Sequence, residues 1–360
     1  MSARATVELQ AVSKVIAGGK SGQTGNDFVD GGYPAYGAGG VNGYLDSFEY
    51  DGDAVILSSI GARCGKAFYP QGKWSSLANT QLIFPNPNRV DRRFLWYQIN
   101  DEDRWHRSGT AQPYIKPSDI KTSRVFLPPL PEQRRIAAIL DQADELRTKS
   151  RRALELLDEL ADSLFVDMFG SLDNSIGEPA ALIELGRVVT GKTPPSASEG
   201  MFGDFVPFVT PGDLGRELTL GRGLSQSGAA MVPLVASGSL LVCCIGATIG
   251  KIGMATEMSA FNQQINAVEW GPRVDPTFGL FAVRQRREEI VNRASSTTMP
   301  ILNKGHFQKI QIAIPEIDRQ RSFAKKIAVL TDQKSKSQSA DVNLDELSAS
   351  LHHRAFRGEL

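Results

Sequence analysis

Residues 157–169 read LDELADSLFVDMF, and residues 344–356 read LDELSASLHHRAF. Seven of these thirteen positions coincide at an offset of 187: Leu157/Leu344, Asp158/Asp345, Glu159/Glu346, Leu160/Leu347, Ser163/Ser350, Leu164/Leu351 and Phe169/Phe356. The same offset pairs Gln133 with Gln320 and Arg134 with Arg321 near the front of each segment. A period near half of a 360-residue chain signals duplication. The chain therefore reads as two similar halves, each a globular domain followed by a long helix.

Upstream of the first copy, Pro128, Pro129 and Pro131 stop one domain and start the helix, and Glu132 suits the positive end of its dipole. No Gly or Pro follows until Gly170. Ile136, Ala143, Ser150, Leu157 and Leu164 form one heptad row, and Ile139, Leu146, Ala153 and Leu160 a second. A third row, Leu140, Leu154, Ala161 and Met168, widens the stripe and predicts further packing there. The second helix starts with Phe323, Ile327 and Leu330 and finishes with Leu344, Leu347 and Leu351. The Ser- and Lys-rich stretch between them, 334–340, is expected to be its weakest part. The boundaries that result are a domain over 1–128, a helix over 129–170, a second domain over 171–315 and a second helix over 316–360.

Both domains follow one plan. DAVILSSIGARCGK (53–66) is mirrored by SLLVCCIGATIGK (239–251), each a strand running into a Gly-flanked loop. ANTQL (78–82) is mirrored by FNQQI (261–265), and VDRRFLWYQI (90–99) by VDPTFGLFAV (274–283), a helix behind a capping Asp. GTAQPYI (109–115) is mirrored by STTMPIL (296–302). The fold class is α+β, with an internal pseudo-two-fold repeat.

A hydrophobic fraction of 41% and a charged fraction of 22% describe a globular protein too long for one ordinary core. Net charge is zero overall, so any nucleic-acid surface must be a local patch. Cys64, Cys243 and Cys244 show no CxxC spacing, which suits a reducing compartment and offers no zinc site. Nor do His106, His306, His352 and His353 form a metal spacing. The start, MSARATVELQ, lacks the apolar run of a signal peptide. The uncharged stretch 223–250 carries Pro233 and several Gly and Ser, and its strongly apolar part is only Leu240–Ile245, too short to span a bilayer.

A helix of about 39 residues is about 58 Å long. The second domain has an expected radius of gyration of about 15 Å and a width near 40 Å, too narrow to carry the chain back along the whole helix. Antiparallel helices need no such return, and they place the two domains at opposite ends of a spacer. Two readers on a rod suit a split site on duplex DNA, which advances about 3.4 Å per base pair.

YGAGGVNGY (36–44), the repeated IGAxxGK, TGKTP (190–194), PPLPEQRRIAAIL (128–140) and the terminal AFRGEL (355–360) resemble the specificity subunits of type I restriction–modification enzymes. The resemblance covers essentially the whole chain, twice over. It implies two target recognition domains, each reading half of a bipartite double-stranded DNA sequence. It also implies two long antiparallel coiled-coil helices that set the spacer and dock two methyltransferase subunits. S-adenosylmethionine would sit on those partners, no cofactor on this chain; a restriction subunit would join separately, in the cytoplasm and without a membrane. The absence of an (N/D)PP(Y/F) methyltransferase motif and of a nuclease constellation agrees with a non-catalytic role.

Within that frame, Lys66 and Lys251 at the ends of the Gly-flanked loops are candidates for backbone phosphate, against the plainer reading of a solvated Lys after a tight turn. Arg63 and its counterpart Thr248 differ in chemistry at one position, where two readers would diverge. Asn79 and Gln81, with Asn262, Gln263 and Gln264, offer side chains suited to adenine, against a role in bracing a turn. Lys192 and Thr193 are further phosphate candidates; Tyr36 is a base-contact candidate set against core packing. Arg284, Arg286 and Arg287 either grip phosphate or form a solvated face. Phe165, Phe169 and Phe356, read as exposed off the helical seam, are the partner-binding candidates. GRVVTGKT (186–193) matches the P-loop pattern and leaves one alternative, a nucleotide hydrolase on a coiled-coil scaffold. Pro194 and Pro195 at the point where a helix should open count against it.

Overall fold

The computed structural model describes residues 6–19, 27–195, 199–215, 221–294 and 300–360. The chain divides into two compact units, residues 1–151 with 339–360, and residues 152–338. Each holds one globular domain and two segments of long helix.

In the first unit a four-stranded antiparallel sheet runs Ser13–Ala17, Thr80–Pro85, Val55–Ser58, Ala67–Phe68. Its central strand is VILS, buried at every position. Side chains alternate faces along a strand. Val55 and Leu57 accordingly pack with Leu9, Ile83 and Leu95, while Ile56 packs on Trp74 and Leu82. That second face meets another four-stranded sheet, Gly40–Leu45, Tyr33–Gly37, Lys73–Ser76 and Tyr50–Asp51, whose middle pair is parallel.

The second unit repeats this with Gly186–Thr190, Ile265–Trp270, Leu240–Cys243 and Ile252–Met254, and with Gly223–Leu224, Phe202–Val209, Ser259–Phe261 and Leu234–Val235. Pairing of Val55 with Ile83 corresponds to pairing of Leu240 with Val268, an offset of 185 on both strands. The letter match of ANTQL with FNQQI is therefore two residues out. Gln81 corresponds to Asn266 and Asn79 to Gln264, because the hydrogen-bond ladder, not local similarity, fixes register.

The first long helix is Leu130–Phe169 and the second Ile317–Ala355. The second is unbroken through its Ser- and Lys-rich middle. Lys334 there reaches Asp158 at 2.8 Å, and Lys336 reaches Asp332 at 2.6 Å. Within each unit the helical segments run antiparallel: Arg147 meets Asp345 while Ile136 packs near Ala355, and Asp158 meets Lys334 while Phe165 packs on Phe323. The seam uses the first and third rows. Of the second row, Leu146 is 52% and Leu160 50% exposed, so that part of the expected stripe faces solvent.

One joint fixes each domain to its helix. Gln133, fully buried, accepts from the Asp91 N–H (2.8 Å) and donates to the carbonyls of Arg89 (2.9 Å) and Pro128 (2.8 Å). Gln320 does the same with Asp275 (2.9 Å), Arg273 (3.0 Å) and Pro315 (2.8 Å). Asp91 and Asp275 meanwhile cap the helices Arg92–Ile99 and Pro276–Gln285 through their side chains.

Phe165 and Phe169 require a correction. They are buried with Phe278, Phe281 and Phe323 in a ring cluster at centroid distances of 4.9–6.0 Å. Phe356 packs on Phe94 at 5.4 Å and on His352 at 4.9 Å. These rings anchor the last turns of each long helix to the domain of the other half, because those turns end against its domain helix: Phe165 and Phe169 against Pro276–Gln285, Phe356 against Arg92–Ile99. Phe165 and Phe169 are therefore buried rather than exposed, and Phe356 is half-buried.

Candidate nucleic-acid interface

At one end of each four-stranded sheet the connecting loops meet on matching backbone hydrogen bonds. In GARCGK, Gly65 N donates to Ser58 O (2.8 Å), Cys64 N to Gly61 O (3.0 Å) and Lys66 N to Arg63 O (3.0 Å). In GATIGK the same bonds run from Gly250 to Cys243 (2.9 Å), Ile249 to Gly246 (3.1 Å) and Lys251 to Thr248 (3.2 Å). Gly61 and Gly65 have φ of 107° and 101°, and Gly246 and Gly250 have 90° and 82°, a region that side chains disfavour. The neighbouring turns attach identically. Ser59 N donates to Asn79 O (2.9 Å) and Cys244 N to Gln264 O (2.8 Å). Gly61 N then reaches Pro113 O (2.8 Å), as Gly246 N reaches Pro300 O (2.9 Å). Residues 296–299 of the STTMPIL segment lie outside the described residues.

On these frames the candidates divide. Arg63 is exposed on its loop and leans to Gly39 O (3.5 Å) in the turn of YGAGG. Asn79 is exposed beside it at φ 67°, the sole non-Gly positive φ among the described residues. In the second unit Lys192 and Gln263 are exposed on adjacent loops, and Thr193 Oγ1 donates to Gln263 Oε1 (2.5 Å). That bond occupies the Gln263 carbonyl oxygen. Lys66 and Lys251 sit at the loop base, and Lys251 Nζ donates to Pro211 O (3.3 Å).

The remaining candidates brace the frame. Gln81 lies buried within its strand and pairs with Leu57 and Ala17. Asn262 and Gln264 bond each other twice, each time at 3.1 Å, and Gln264 also donates to Ile245 O (3.4 Å). Thr248 Oγ1 stands 3.5 Å from Cys243 Sγ. Tyr36 packs edge-on to Trp74 at 6.1 Å, and burial pushes its hydroxyl above the usual tyrosine range. Sequence reasoning missed the Thr190–Asn266 bond (2.7 Å), which ties the first strand to the second beneath the loops. The corrected register of the strand repeat would have found it.

Burial pushes the Cys244 thiol up to about 12, away from a reactive thiolate. The P-loop alternative also fails on geometry. Gly186–Thr190 is a strand rather than a phosphate cradle, and the N–H groups of Gly191 and Lys192 already donate to Ile265 O (3.0 Å) and Phe261 O (2.9 Å).

Two duplicated loop platforms with differing exposed side chains are the geometry of paired sequence readers. The family model for the type I restriction modification DNA specificity domain matches residues 2–156 and 178–342, once per half. The chain belongs to this family. A Methanocaldococcus jannaschii protein provisionally named as the type I restriction enzyme MjaX specificity subunit is 21% identical over 77% of this chain and 71% of its own length. The HindI specificity subunit of Haemophilus influenzae is 28% identical over 51% of this chain and 41% of its own. Among solved structures, the type I restriction–modification S subunit from M. genitalium shares the fold. Its TM-score is 0.65 at 17% identity, covering 98% of this chain and 96% of that one. In this family's terms the fold is α+β with two similar recognition domains and two long helices. No helix among the described residues is long and apolar enough to cross a membrane.

Proposed function

We propose that this chain is the non-catalytic DNA-specificity subunit of a type I restriction–modification assembly. Each globular domain reads one half of a bipartite duplex site through its loop platform. The long helices set the spacer and dock two methyltransferase subunits, which carry S-adenosylmethionine, in the cytoplasm. The observation that carries the reading is the duplicated platform: the same backbone frame recurs in both units, with Arg63 and Asn79 exposed on it in the first and Lys192 and Gln263 exposed on neighbouring loops in the second. Differing side chains on equal frames give differing base preference. Residues 171–315 can be replaced by the matching domain of a relative and the methylated positions mapped. One half-site is expected to change while the other stays; simultaneous change of both halves would refute independent readers.

A further inference from the structure

Behind each Gly-flanked loop lies a groove between the domain and its long helix, and the two grooves carry opposite charge. The segment after the domain helix forms the groove floor. Counted from the capping residues Asp91 and Asp275, Asn100-Asp101-Glu102-Asp103 in the first unit occupies the place of Arg284-Gln285-Arg286-Arg287 in the second. Packing puts both segments against the loop, although it pairs residues one and two places off the count from the caps: the face of Gly65 lies against Glu102 and Trp105, and that of Gly250 against Arg287 and Val291. In the first groove, of about 470 Å³, Lys66 and Arg147 face Asp101, Glu102, Asp144 and Asp345. In the second, of about 400 Å³, Lys251, Arg284 and Arg287 face Asp162 alone among the described residues. Arg286 is turned away, toward Glu289 at 3.6 Å.

We propose that the second groove is a polyanion site that holds the DNA backbone, and that the first groove does not, so the two half-sites are gripped unequally. This rests on the DNA-reading function proposed above. The argument is charge complementarity joined to continuity, since Gly250 and Lys251 belong both to the groove and to the reading loop. A phosphate backbone passing the platform meets a net positive groove in one unit and a net negative one in the other. Phosphate contacts place the protein without reading sequence.

The test is the salt dependence of duplex binding by the full chain assembled with its methyltransferase subunits, on a DNA bearing its methylation site. Each phosphate contact contributes about −0.9 to the slope of log affinity against log salt. The Arg284→Gln/Arg287→Gln double variant is expected to flatten the slope by about 2, so that the affinity lost between about 50 and 200 mM salt shrinks roughly tenfold. Methylated sequences stay the same. Arg284→Lys/Arg287→Lys retains the slope, which separates charge from folding. Asp101→Arg/Glu102→Arg in the first unit steepens it. An unchanged slope in an intact Gln-variant assembly overturns the proposal. So does loss of the methyltransferase subunits with the slope preserved, which assigns the groove to an acidic protein face. A wild-type assembly that binds no duplex in a salt-dependent way instead defeats the DNA-reading function itself.

Discussion

The two units share a backbone and differ in what fills it. Their loops close on the same hydrogen bonds, and Gln133 and Gln320 make the same three contacts. Where domain meets helix, five positions in the second unit hold Phe165, Phe169, Phe278, Phe281 and Phe323. Their counterparts in the first are His352, Phe356, Phe94, Tyr97 and Ile136. There the joint is partly polar: His352 Nε2–H donates to Tyr97 O (2.8 Å), and the single proton of the Tyr97 hydroxyl is shared between Asp141 (2.8 Å) and Asp144 (3.0 Å). Burial together with those carboxylates pushes the Tyr97 hydroxyl well above its ordinary range. The lesson is that a duplicated fold keeps its backbone connections and leaves its fillings free to diverge.

The sharpest way to break this comparison is Phe165→Ala. It removes the ring that touches four others, and burial of that kind costs about 3–5 kcal/mol when truncated. His352→Ala in the first unit, half-buried with one carbonyl bond, is expected to cost only about 1 kcal/mol. Thermal unfolding of both variants measures the difference. Equal losses would mean that the aromatic cluster adds nothing beyond a mixed joint.

Next in size are Gln133→Ala and Gln320→Ala. Each leaves a buried N–H and two carbonyls without their partner, at about 1–3 kcal/mol. Denaturant midpoints should fall by similar amounts in the two variants. A loss confined to one of them would show that the joints are alike in geometry only.

Sequence revealed most where the repeat could be checked against itself. The Asp caps, the Gly-flanked loops and the uninterrupted helices all follow from patterns that recur at one offset. Burial was harder to read. The heptad offered three apolar rows, and only tertiary contact decides that Leu146 and Leu160 face outward while Phe165 and Phe169 face in. Likewise Asn262 and Gln264 resemble base-reading amides in the sequence, yet they spend their hydrogen bonds on each other and on Ile245. Arg284, Arg286 and Arg287 were visible as cations, but their contrast with Asp101, Glu102 and Asp103 emerges only once the domain helices are aligned on their caps.

The smallest expected effect concerns the helix pairs, where the repeat places one acid against two cations in the first unit and against Lys334 in the second. Asp345 meets Arg147 at 2.6 Å and Arg151 at 3.1 Å, while Asp158 meets Lys334 at 2.8 Å. The hydrogen bond and charge of Arg147, helped by Arg151, hold the Asp345 carboxyl below its ordinary value of 3.8. A carboxylate depressed in the folded state stabilises it above the unfolded value, and that contribution disappears as pH falls through the folded one. The gap in melting temperature between wild type and Asp345→Asn should thus be open near about pH 7 and close below about pH 4. Both members of the pair are partly solvated, so the gap itself is small. Persistence of the gap in acid would locate its origin in packing rather than in the charge, and the correspondence between Asp345 and Asp158 would then be one of position alone.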